Sequence, residues 1–220
     1  MSRPSLAFKP PRQRRSHETL ERVLDAAESL IRERGFESMT IAEVVQLSGS
    51  SVGSIYARFN NKIGLLQAVQ VRYHARVQNA IFAAFSGDHG KDESLDEAVA
   101  RIVREMSRHV LSDPQLFRAF VVQAVFDPGV RARGERVNAE RRDKVTEILL
   151  THRDEIRHPD PEKAARWVYS MLMAALRERV TYGERGELSG EFSDEEIVTE
   201  MTRVAASYLT MAPSAPDVGD

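Results

Sequence analysis

Apolar residues near the N-terminus recur at the spacing of a helix. Between Leu20 and Ile31 they fall at i, i+3, i+4, i+7, i+10 and i+11, which forms a single stripe on a helix of about four turns. Ser16 is suited to cap the start of this helix. Gly35 marks its end, because glycine adopts the left-handed conformation of a C-cap, and Phe36 then folds back on the stripe.

Two short helices are predicted next. The segment TIAE at positions 40–43 is a capping box, in which a hydroxyl and a carboxylate each satisfy a free backbone amide at a helix start. After a glycine turn, Ser50 or Ser51 is suited to cap a third helix, in which Ile55 and Phe59 face inward. Two short helices that are joined by a tight turn and braced by a longer first helix predict a helix-turn-helix.

The same turn has an alternative interpretation as a catalytic site. The sequence GSSVG at positions 49–53 fits the G-x-S-x-G spacing of a hydrolase nucleophile elbow, with Ser51 as the nucleophile. An elbow needs a buried strand before the turn, whereas a helix is predicted here, and no Asp and His stand out downstream as triad partners. We therefore predict no catalytic residue, and an all-helical enzyme that uses Ser51 remains a rival class.

Helix signals continue to the end of the chain. Asn60 or Asn61 opens a long helix to about Phe85, and capping boxes at 94–97 and 193–196 open two more. Asp-Pro pairs at 113–114, 127–128 and 160–161 place a cap before a proline at the first helical position, and the helix after Asp127 is expected to end near Ile156. Strand-like alternation of useful length is missing. The sequence predicts an all-α fold with an N-terminal three-helix domain and a C-terminal helical bundle.

Composition and charge narrow the function classes. The chain has no cysteine, which excludes disulfides and thiolate metal sites, and it lacks metal-ligand spacing, so no metal or cofactor is predicted. No apolar run approaches the roughly 20 residues of a membrane span, and no secretion signal is predicted, so we expect a cytoplasmic protein without a membrane partner. Residues 1–79 carry 12 Lys+Arg against 7 Asp+Glu, whereas residues 80–220 carry 19 against 26, which indicates a polyanion partner for the first part only.

The third helix is the predicted reader of DNA. In a helix-turn-helix the second helix enters the major groove, its first residues reach base edges, and flanking residues contact phosphates. Here we expect Val52 to pack on a thymine methyl, Gly53 to allow close backbone approach and Ser54 to offer a hydroxyl. The predicted DNA-binding residues are Arg12, Arg14, Arg15, Thr40, Ser51, Val52, Gly53, Ser54, Tyr56, Arg58 and Lys62.

Several of these residues also have plain structural explanations. Tyr56 could cover the small core, and Arg58 and Lys62 could be solvated charges. The basic arm KPPRQRR at positions 9–15 could lie along the DNA or could be a disordered tail. The free amides at the helix start of Thr40 would attract a phosphate. The joint placement of these residues around one glycine turn favours DNA binding.

Residues 23–69, VLDAAESLIRERGFESMTIAEVVQLSGSSVGSIYARFNNKIGLLQAV, resemble the DNA-binding domain of the TetR family of bacterial transcriptional regulators. The resemblance implies an all-helical homodimer whose N-terminal helices bind a palindromic operator in double-stranded DNA and whose C-terminal bundle binds a small-molecule effector. Val52 and Ala57 stand where members often carry larger polar or charged residues. The family pattern falls on Gly35, Phe36, Thr40, Gly49, Tyr56, Phe59 and Lys62.

The resemblance also implies a domain organisation and a function. It divides the chain into a helix-turn-helix domain (16–62, with the motif at about 40–59) and a helical ligand-binding and dimerisation domain (63–211). Composition predicts a disordered basic arm (1–15) before them and a disordered tail (212–220) after them. The function that follows is that of a small-molecule-responsive repressor. The alternative is a helical interaction module without sequence-specific DNA binding.

Two sets of residues are candidates for effector binding and dimerisation. An apolar and aromatic set with a few polar groups is typical of a ligand pocket, although such a set at helical spacing is also typical of a plain core. Small residues on the last two long helices permit the close approach of a second chain. The effector candidates are Met106, His109, Phe117, Phe120, Gln123, Phe126, Trp167 and Met171, and the dimer candidates are Ala164, Val168, Met171, Leu172, Ala175 and Leu176 with Ile197, Met201, Val204, Ala205, Tyr208 and Leu209.

Overall fold

The computed structural model describes residues 14–85 and 93–211, and over these residues the chain is built from α-helices joined by short turns. The all-α prediction is thereby confirmed. Arg12, the rest of segment 1–13, the loop at 86–92 and the predicted tail at 212–220 lie outside the described residues. The helices are α1 (Arg14–Ser38), α2 (Ile41–Ser48), α3 (Val52–Tyr56), α4 (Lys62–Phe85), α5 (Leu95–Leu111), α6 (Pro114–Phe126), α7 (Pro128–Leu150), α8 (Pro161–Tyr182), α9 (Glu187–Glu191) and α10 (Asp194–Thr210).

The apolar stripe of α1 is buried along its whole length, as predicted from Leu20 to Ile31. Gly35 interrupts the helix with φ 80° and ψ 160°, which a residue with a side chain adopts only at a cost, and Phe36 turns back into the core. The predicted cap at Ser16 was wrong, since α1 already begins at Arg14. No glycine or proline separates Arg14 from the apolar stripe, so nothing stops the helix before Ser16.

Most predicted helix caps are present. The capping boxes at 40–43, 94–97 and 193–196 all form, and Gly49 ends α2 in the left-handed conformation. Asp127 and Asp160 each accept an amide hydrogen bond in the first turn of the helix that follows. Asp113 is the exception: its side chain makes no cap hydrogen bond, because its carboxylate is bound by the guanidinium of Arg32 at 2.7 and 2.9 Å.

Two details at the ends of helices differ from the sequence prediction. The helix after Asp127 ends at Leu150 rather than near Ile156, because the backbone hydrogen bonds that follow it have i+3 rather than i+4 spacing. The short helix α9 and the 3-10 turn Gly183–Arg185 before it were not predicted.

The described residues form two compact units. The first contains the chain up to Ala80 together with Ser112–Val137, and the second contains Ile81–Leu111 together with the chain from Asn138 onward. The predicted domain boundary at residue 62 stays a prediction. None of the described helices is long and apolar enough to cross a membrane.

Packing in the first unit combines an apolar core with one buried acid. The ring of Tyr73 lies 5.3 Å from that of Phe120, which joins α4 to α6. Glu28 on α1 is only 2% exposed, and the guanidinium groups of Arg32, Arg72 and Arg76 lie 2.6, 2.8 and 3.4 Å from its carboxylate oxygens. These ion pairs compensate the loss of hydration of the Glu28 carboxylate and connect α1 to α4.

The second unit packs α5, α8 and α10 against one another. Their facing sides carry the apolar residues that the helical periodicity of each segment predicts. The backbone amide of Arg157 donates a 2.8 Å hydrogen bond to the carbonyl of Leu209, which fixes the loop before α8 against α10. The buried residues on the three helices include Leu95, Ile102, Val103, Met106, Val168, Leu172, Leu176, Ile197, Ala205 and Leu209.

Candidate DNA-binding surface

Helix α3 has one buried face and one exposed face. Its start is capped by Ser51, whose hydroxyl accepts the amide of Ser54 at 3.1 Å. Ile55 within the helix and Phe59 just after it are buried in the first unit. Two inward apolar anchors one turn apart therefore fix the orientation of a helix that is too short to be stable alone.

The opposite face of α3 is exposed and carries small groups. Val52 is 53% exposed and Tyr56 is 54% exposed, so Tyr56 does not cover the core. A side chain added at Gly53 would meet nothing within 4 Å, so nothing inside the chain requires a glycine there. The hydroxyl of Ser54 lies 2.8 Å from that of Ser51 on the same exposed surface. This face lets another molecule approach the backbone closely.

The carboxylate of Glu43 already accepts hydrogen bonds at the start of α2. Both the amide and the hydroxyl of Thr40 donate to Glu43 at 2.8–2.9 Å, and Arg34 donates to the same carboxylate at 2.8 Å. The bonds from Thr40, followed by the bond from Arg34, hold the pKa of Glu43 below its usual value. A phosphate at this helix start would have to share the site with the Glu43 carboxylate.

Arg58 is directed toward α1. Its guanidinium donates to the carbonyl oxygen of Ser16 at 3.2 Å and to the Ser16 hydroxyl at 2.5 Å. The two residues line a groove of about 380 Å³ between α1 and the end of α3. Arg58 is therefore not a freely solvated charge, since it ties the start of α1 to the end of α3. Its predicted contact with a phosphate stays a prediction.

Lys62 is also engaged within the first unit. Its ammonium donates a 3.0 Å hydrogen bond to the carbonyl of Glu37 and lies over the ring of Phe36. Partial burial lowers the pKa of Lys62, although the charges of Glu37 and Glu43 act in the opposite direction. The side chain thus satisfies a carbonyl at the end of α1. Sequence reasoning missed these bracing contacts of Lys62 because they join residues 25 positions apart.

The last two residues of the predicted basic arm are helical. Arg14 and Arg15 lie in the first turn of α1 instead of in an extended segment, and Arg12 lies outside the described residues. A helical start places the two arginines at the end of α1 that Arg58 contacts.

Comparison with known proteins identifies the family and excludes the enzyme that would use Ser51. Residues 23–69 match the family model of bacterial regulatory proteins of the tetR family, and residues 94–209 match that of the tetracyclin repressor-like C-terminal domain. This chain belongs to the TetR family. It is a helix-turn-helix DNA-binding transcriptional regulator, and since the family is not enzymatic, Ser51 is a helix cap and not a nucleophile.

Individual relatives agree with this assignment. The chain is 34% identical over 73 residues to the HTH-type transcriptional regulator TtgR of Pseudomonas putida, an alignment that covers 33% of this chain and 35% of that relative. The chain thus spans about a third of the curated relatives that it matches first. A TetR-family regulator from Rhodococcus sp. has the same fold, with 20% identity, a TM-score of 0.65 and coverage of 88% of this chain and 100% of that one. A TetR regulator from Haloarcula marismortui gives a TM-score of 0.67 at 18% identity, over 88% and 97%.

The effector candidates of this TetR-family regulator do not come together within either unit. Phe117, Phe120, Gln123 and Phe126 belong to the first unit, where Phe117 and Phe120 are core residues and Phe126 is exposed. The other four, Met106, His109, Trp167 and Met171, belong to the second unit. The apolar pattern marked buried positions correctly for Met106, Phe117 and Phe120, but it could not tell a core from a pocket.

Trp167 is a surface residue of the regulator. It is 58% exposed and lines a groove of about 360 Å³ in the second unit. Trp167 is not a core residue, because Ala164 and Val168 lie on the buried side of α8 and Trp167 lies on the opposite side. Its part in effector binding stays a prediction. The groove is also lined by Arg142, Lys163, Arg166, Ser170 and Tyr208.

Most of the predicted dimer residues are part of the regulator's own core. Small and apolar residues on α8 and α10 face each other and α5 within one chain, so they are not available to a second chain. The positions with exposed or partly exposed side chains are Met171, Met201, Val204 and Tyr208, whereas Ala164, Val168, Leu172, Ala175, Leu176, Ile197, Ala205 and Leu209 are buried.

Proposed function

We propose that this regulator is a small-molecule-responsive repressor that binds a palindromic operator as a homodimer. The observation that carries the proposal is the geometry of α3, with Ile55 and Phe59 anchored and Val52, Gly53 and Tyr56 exposed. A helix presented in this way can enter the major groove without rearrangement of its own unit.

Base recognition in this proposal relies on small groups. Val52 packs on a thymine methyl, and Gly53 lets the backbone approach the base edges. Ser51 and Ser54 offer two neighbouring hydroxyls, and the Tyr56 hydroxyl contacts a phosphate. Arg58 and Lys62 act mainly by holding α1, α3 and α4 in place, because both already have hydrogen-bond acceptors within the chain.

The dimer contact in this proposal uses the outer faces of α8 and α10. On α8 the exposed positions Trp167, Ser170 and Ala174 follow one another at helical spacing, and two of them are small. On α10, Val204 is exposed and Tyr208 lines the same groove as Trp167. A two-fold contact of these faces would present two copies of α3 to successive major grooves, about 34–36 Å apart.

The effector acts by favouring a conformation in which the two recognition helices no longer match the operator. To change the operator from almost fully bound to almost fully free, the effector must prefer that conformation by about 5 kcal/mol. Belonging to a family with a C-terminal ligand-binding domain supports this part of the proposal.

A selection experiment tests the DNA part of the proposal. The purified protein is incubated with randomised duplex DNA, and bound fragments are enriched. The affinity of the protein for the most enriched fragment is then measured across a salt series. We expect a palindrome whose affinity falls steeply with salt, because each neutralised phosphate releases counterions. Weak, sequence-blind binding would instead favour a helical interaction module. A reporter gene placed behind the selected operator then tests the sign, since a repressor lowers its expression.

A further inference from the structure

Two glutamines occupy buried positions on one side of α4. Gln67 is 4% exposed and Gln70 is 1% exposed, and because they are three positions apart, their side chains are neighbours on the helix. The apolar residues beside them, Leu66 and Val69, are buried as well. Burial of an amide side chain costs free energy unless the amide is hydrogen-bonded, so two glutamines are not the simplest choice for packing alone.

Both glutamines bind the start of α7. Nε2 of Gln67 donates a 2.9 Å hydrogen bond to the carboxylate of Asp127, which also accepts the backbone amide of Val130 at 2.8 Å. Nε2 of Gln70 donates a 3.1 Å hydrogen bond to the carbonyl of Val130, and Oε1 of Gln70 accepts a 3.3 Å hydrogen bond from Arg133. The start of α7 is thus attached to α4 at two successive points within the first unit.

Gly129 permits the close approach of these two helices. A β-carbon at Gly129 would lie only 2.6 Å from Nε2 of Gln67, whereas a β-carbon at Gly134 would lie 3.8 Å from Nε2 of Gln70, which is an ordinary van der Waals distance. Glycine is a poorer helix former than alanine, so its presence at 129 fits the need for space beside Gln67.

The two helices that the glutamines join both continue from the first unit into the second. Helix α4 crosses the boundary after Ala80, and α7 crosses it after Val137. Helix α4 begins six residues after the end of α3, and the side chain of Asn61 in this connection accepts the amide of Gly64 at 2.9 Å. The recognition helix is therefore attached to α4, while the proposed dimer contact belongs to the second unit, into which α4 and α7 lead.

We propose that Gln67 and Gln70 are positioning residues for operator recognition, which fix α4 against the start of α7 and thereby set the spacing of the two recognition helices in the homodimer. Buried polar groups with complete hydrogen bonds favour one arrangement of neighbouring helices, because a slip leaves a group unpaired, whereas apolar contacts tolerate several arrangements. The regulator then selects an operator by the distance between its half-sites as well as by their bases. This inference rests on the proposed function, namely that a homodimer binds a palindrome.

A series of operators with altered spacing measures this role. The most enriched palindrome is compared with derivatives that have one or two base pairs more or fewer between the half-sites, and an isolated half-site measures recognition by α3 alone. Each added base pair moves one half-site by about 3.4 Å and rotates it by about 35° relative to the other. We expect the full-length protein to bind its preferred spacing at least about tenfold more tightly than a spacing that differs by one base pair.

A double variant assigns the discrimination to the glutamines. Gln67→Met with Gln70→Met keeps the length of both side chains and replaces their amides by apolar groups, so the first unit is expected to fold. We expect the preference for one spacing to fall to about threefold or less. The affinity for the isolated half-site and the midpoint of thermal unfolding should stay unchanged. Gln115→Met on the exposed side of α6 is the control and should keep the wild-type preference.

A pair of glycine variants tests the same junction from the side of α7. In Gly129→Ala the new methyl group displaces the amide of Gln67 from Asp127, so we expect a reduced preference for one spacing. In Gly134→Ala the methyl group has room beside Gln70, so the wild-type preference should remain. Both variants replace glycine by alanine in one helix, so the gain in helix propensity is common to them.

The outcomes distinguish the inference from the proposed function. If the glutamine double variant or Gly129→Ala keeps the wild-type preference, or loses affinity for every spacing by the same factor, the positioning role is overturned while the palindrome-binding homodimer stands. The same conclusion follows if the wild-type protein binds all spacings equally well. If the selection yields no palindrome at all, the proposed function and this inference are both overturned. Gly129→Ala leaves both glutamines in place and so tests the junction independently of whether the double variant folds.

Discussion

The ammonium group of Lys62 lies 4.4 Å from the centre of the Phe36 ring. This contact joins the first residue of α4 to the chain just after the break at Gly35, and the hydrogen bond from Lys62 to the Glu37 carbonyl closes the same junction. A lysine that would be assigned to a phosphate on sequence grounds thus stabilises the end of α1.

Replacement of Lys62 distinguishes a brace from a phosphate contact. We expect Lys62→Met to lower the free energy of unfolding by about 1–2 kcal/mol, through loss of the cation–π contact and of one hydrogen bond. The slope of log affinity for the operator against log salt should stay unchanged. A slope reduced by about one, without loss of stability, would show that Lys62 neutralises a phosphate instead.

The buried acid of the first unit offers a test with a matched control. Glu28→Gln leaves three arginines facing a neutral group, and we expect a loss of about 3 kcal/mol in the free energy of unfolding, measured by urea titration. Asp25 pairs with Arg72 as well, but its side chain is 71% exposed. Asp25→Asn should therefore cost less than about 1 kcal/mol. Equal losses in the two variants would contradict the role of burial.

Substitution of Gly53 is expected to affect stability and DNA binding differently. Its backbone is helical and a methyl group there has open space, so Gly53→Ala should leave thermal stability unchanged or raise the free energy of unfolding by up to about 1 kcal/mol. Operator affinity should fall, because the methyl group prevents close approach of α3 to the bases. Fluorescence anisotropy with labelled operator measures this loss, and an unchanged affinity would show that α3 does not approach DNA through Gly53.

Substitution of one exposed and one buried alanine tests which face forms the dimer. Ala174 is exposed on α8, whereas Ala205 is buried between helices of one chain. We expect Ala174→Glu to give a folded monomer by light scattering with unchanged helical circular dichroism, and Ala205→Glu to lose helical structure. A dimeric Ala174→Glu variant would place the contact elsewhere.

Low pH is expected to destabilise the N-terminal ends of α2, α5 and α10. Hydrogen bonds from Ser94 and Ser193 hold the pKa values of Glu97 and Glu196 below the usual value, as those from Thr40 do for Glu43. A carboxylate with a lowered folded-state pKa stabilises the protein above its unfolded pKa, and this contribution is lost as the pH falls through the folded value. Unfolding free energies measured below about pH 4.5 should therefore decrease. Glu196→Gln, which cannot titrate, should show a shallower decrease than the wild type.

Local sequence signals predicted local structure well. The stripe from Leu20 to Ile31, the capping boxes and the glycine turn depend on residues a few positions apart, and these features formed as predicted. The same holds for the inward pair on α3. Family resemblance then connected these elements to DNA binding.

Features that depend on distant residues were harder to predict. Apolar periodicity on α8 and α10 shows which side is buried, but it does not show whether the burial is within a chain or between chains. The partners of Arg58 and Asp113 lie 42 and 81 positions away, so their ion-pair and hydrogen-bond roles were not visible. The burial of Arg141 was not predicted, because α7 is rich in charged residues and nothing in its sequence distinguishes a buried arginine from the exposed ones.

The position of Trp167 gives the regulator its own optical reporter. It is the one tryptophan among the 220 residues, and its indole is more than half exposed on the groove that Tyr208 also lines. The intrinsic emission of a single chain is therefore that of a hydrated indole. When a second subunit or another molecule covers this face, the emission maximum moves to shorter wavelength, so that subunit exchange can be followed in solution without a label.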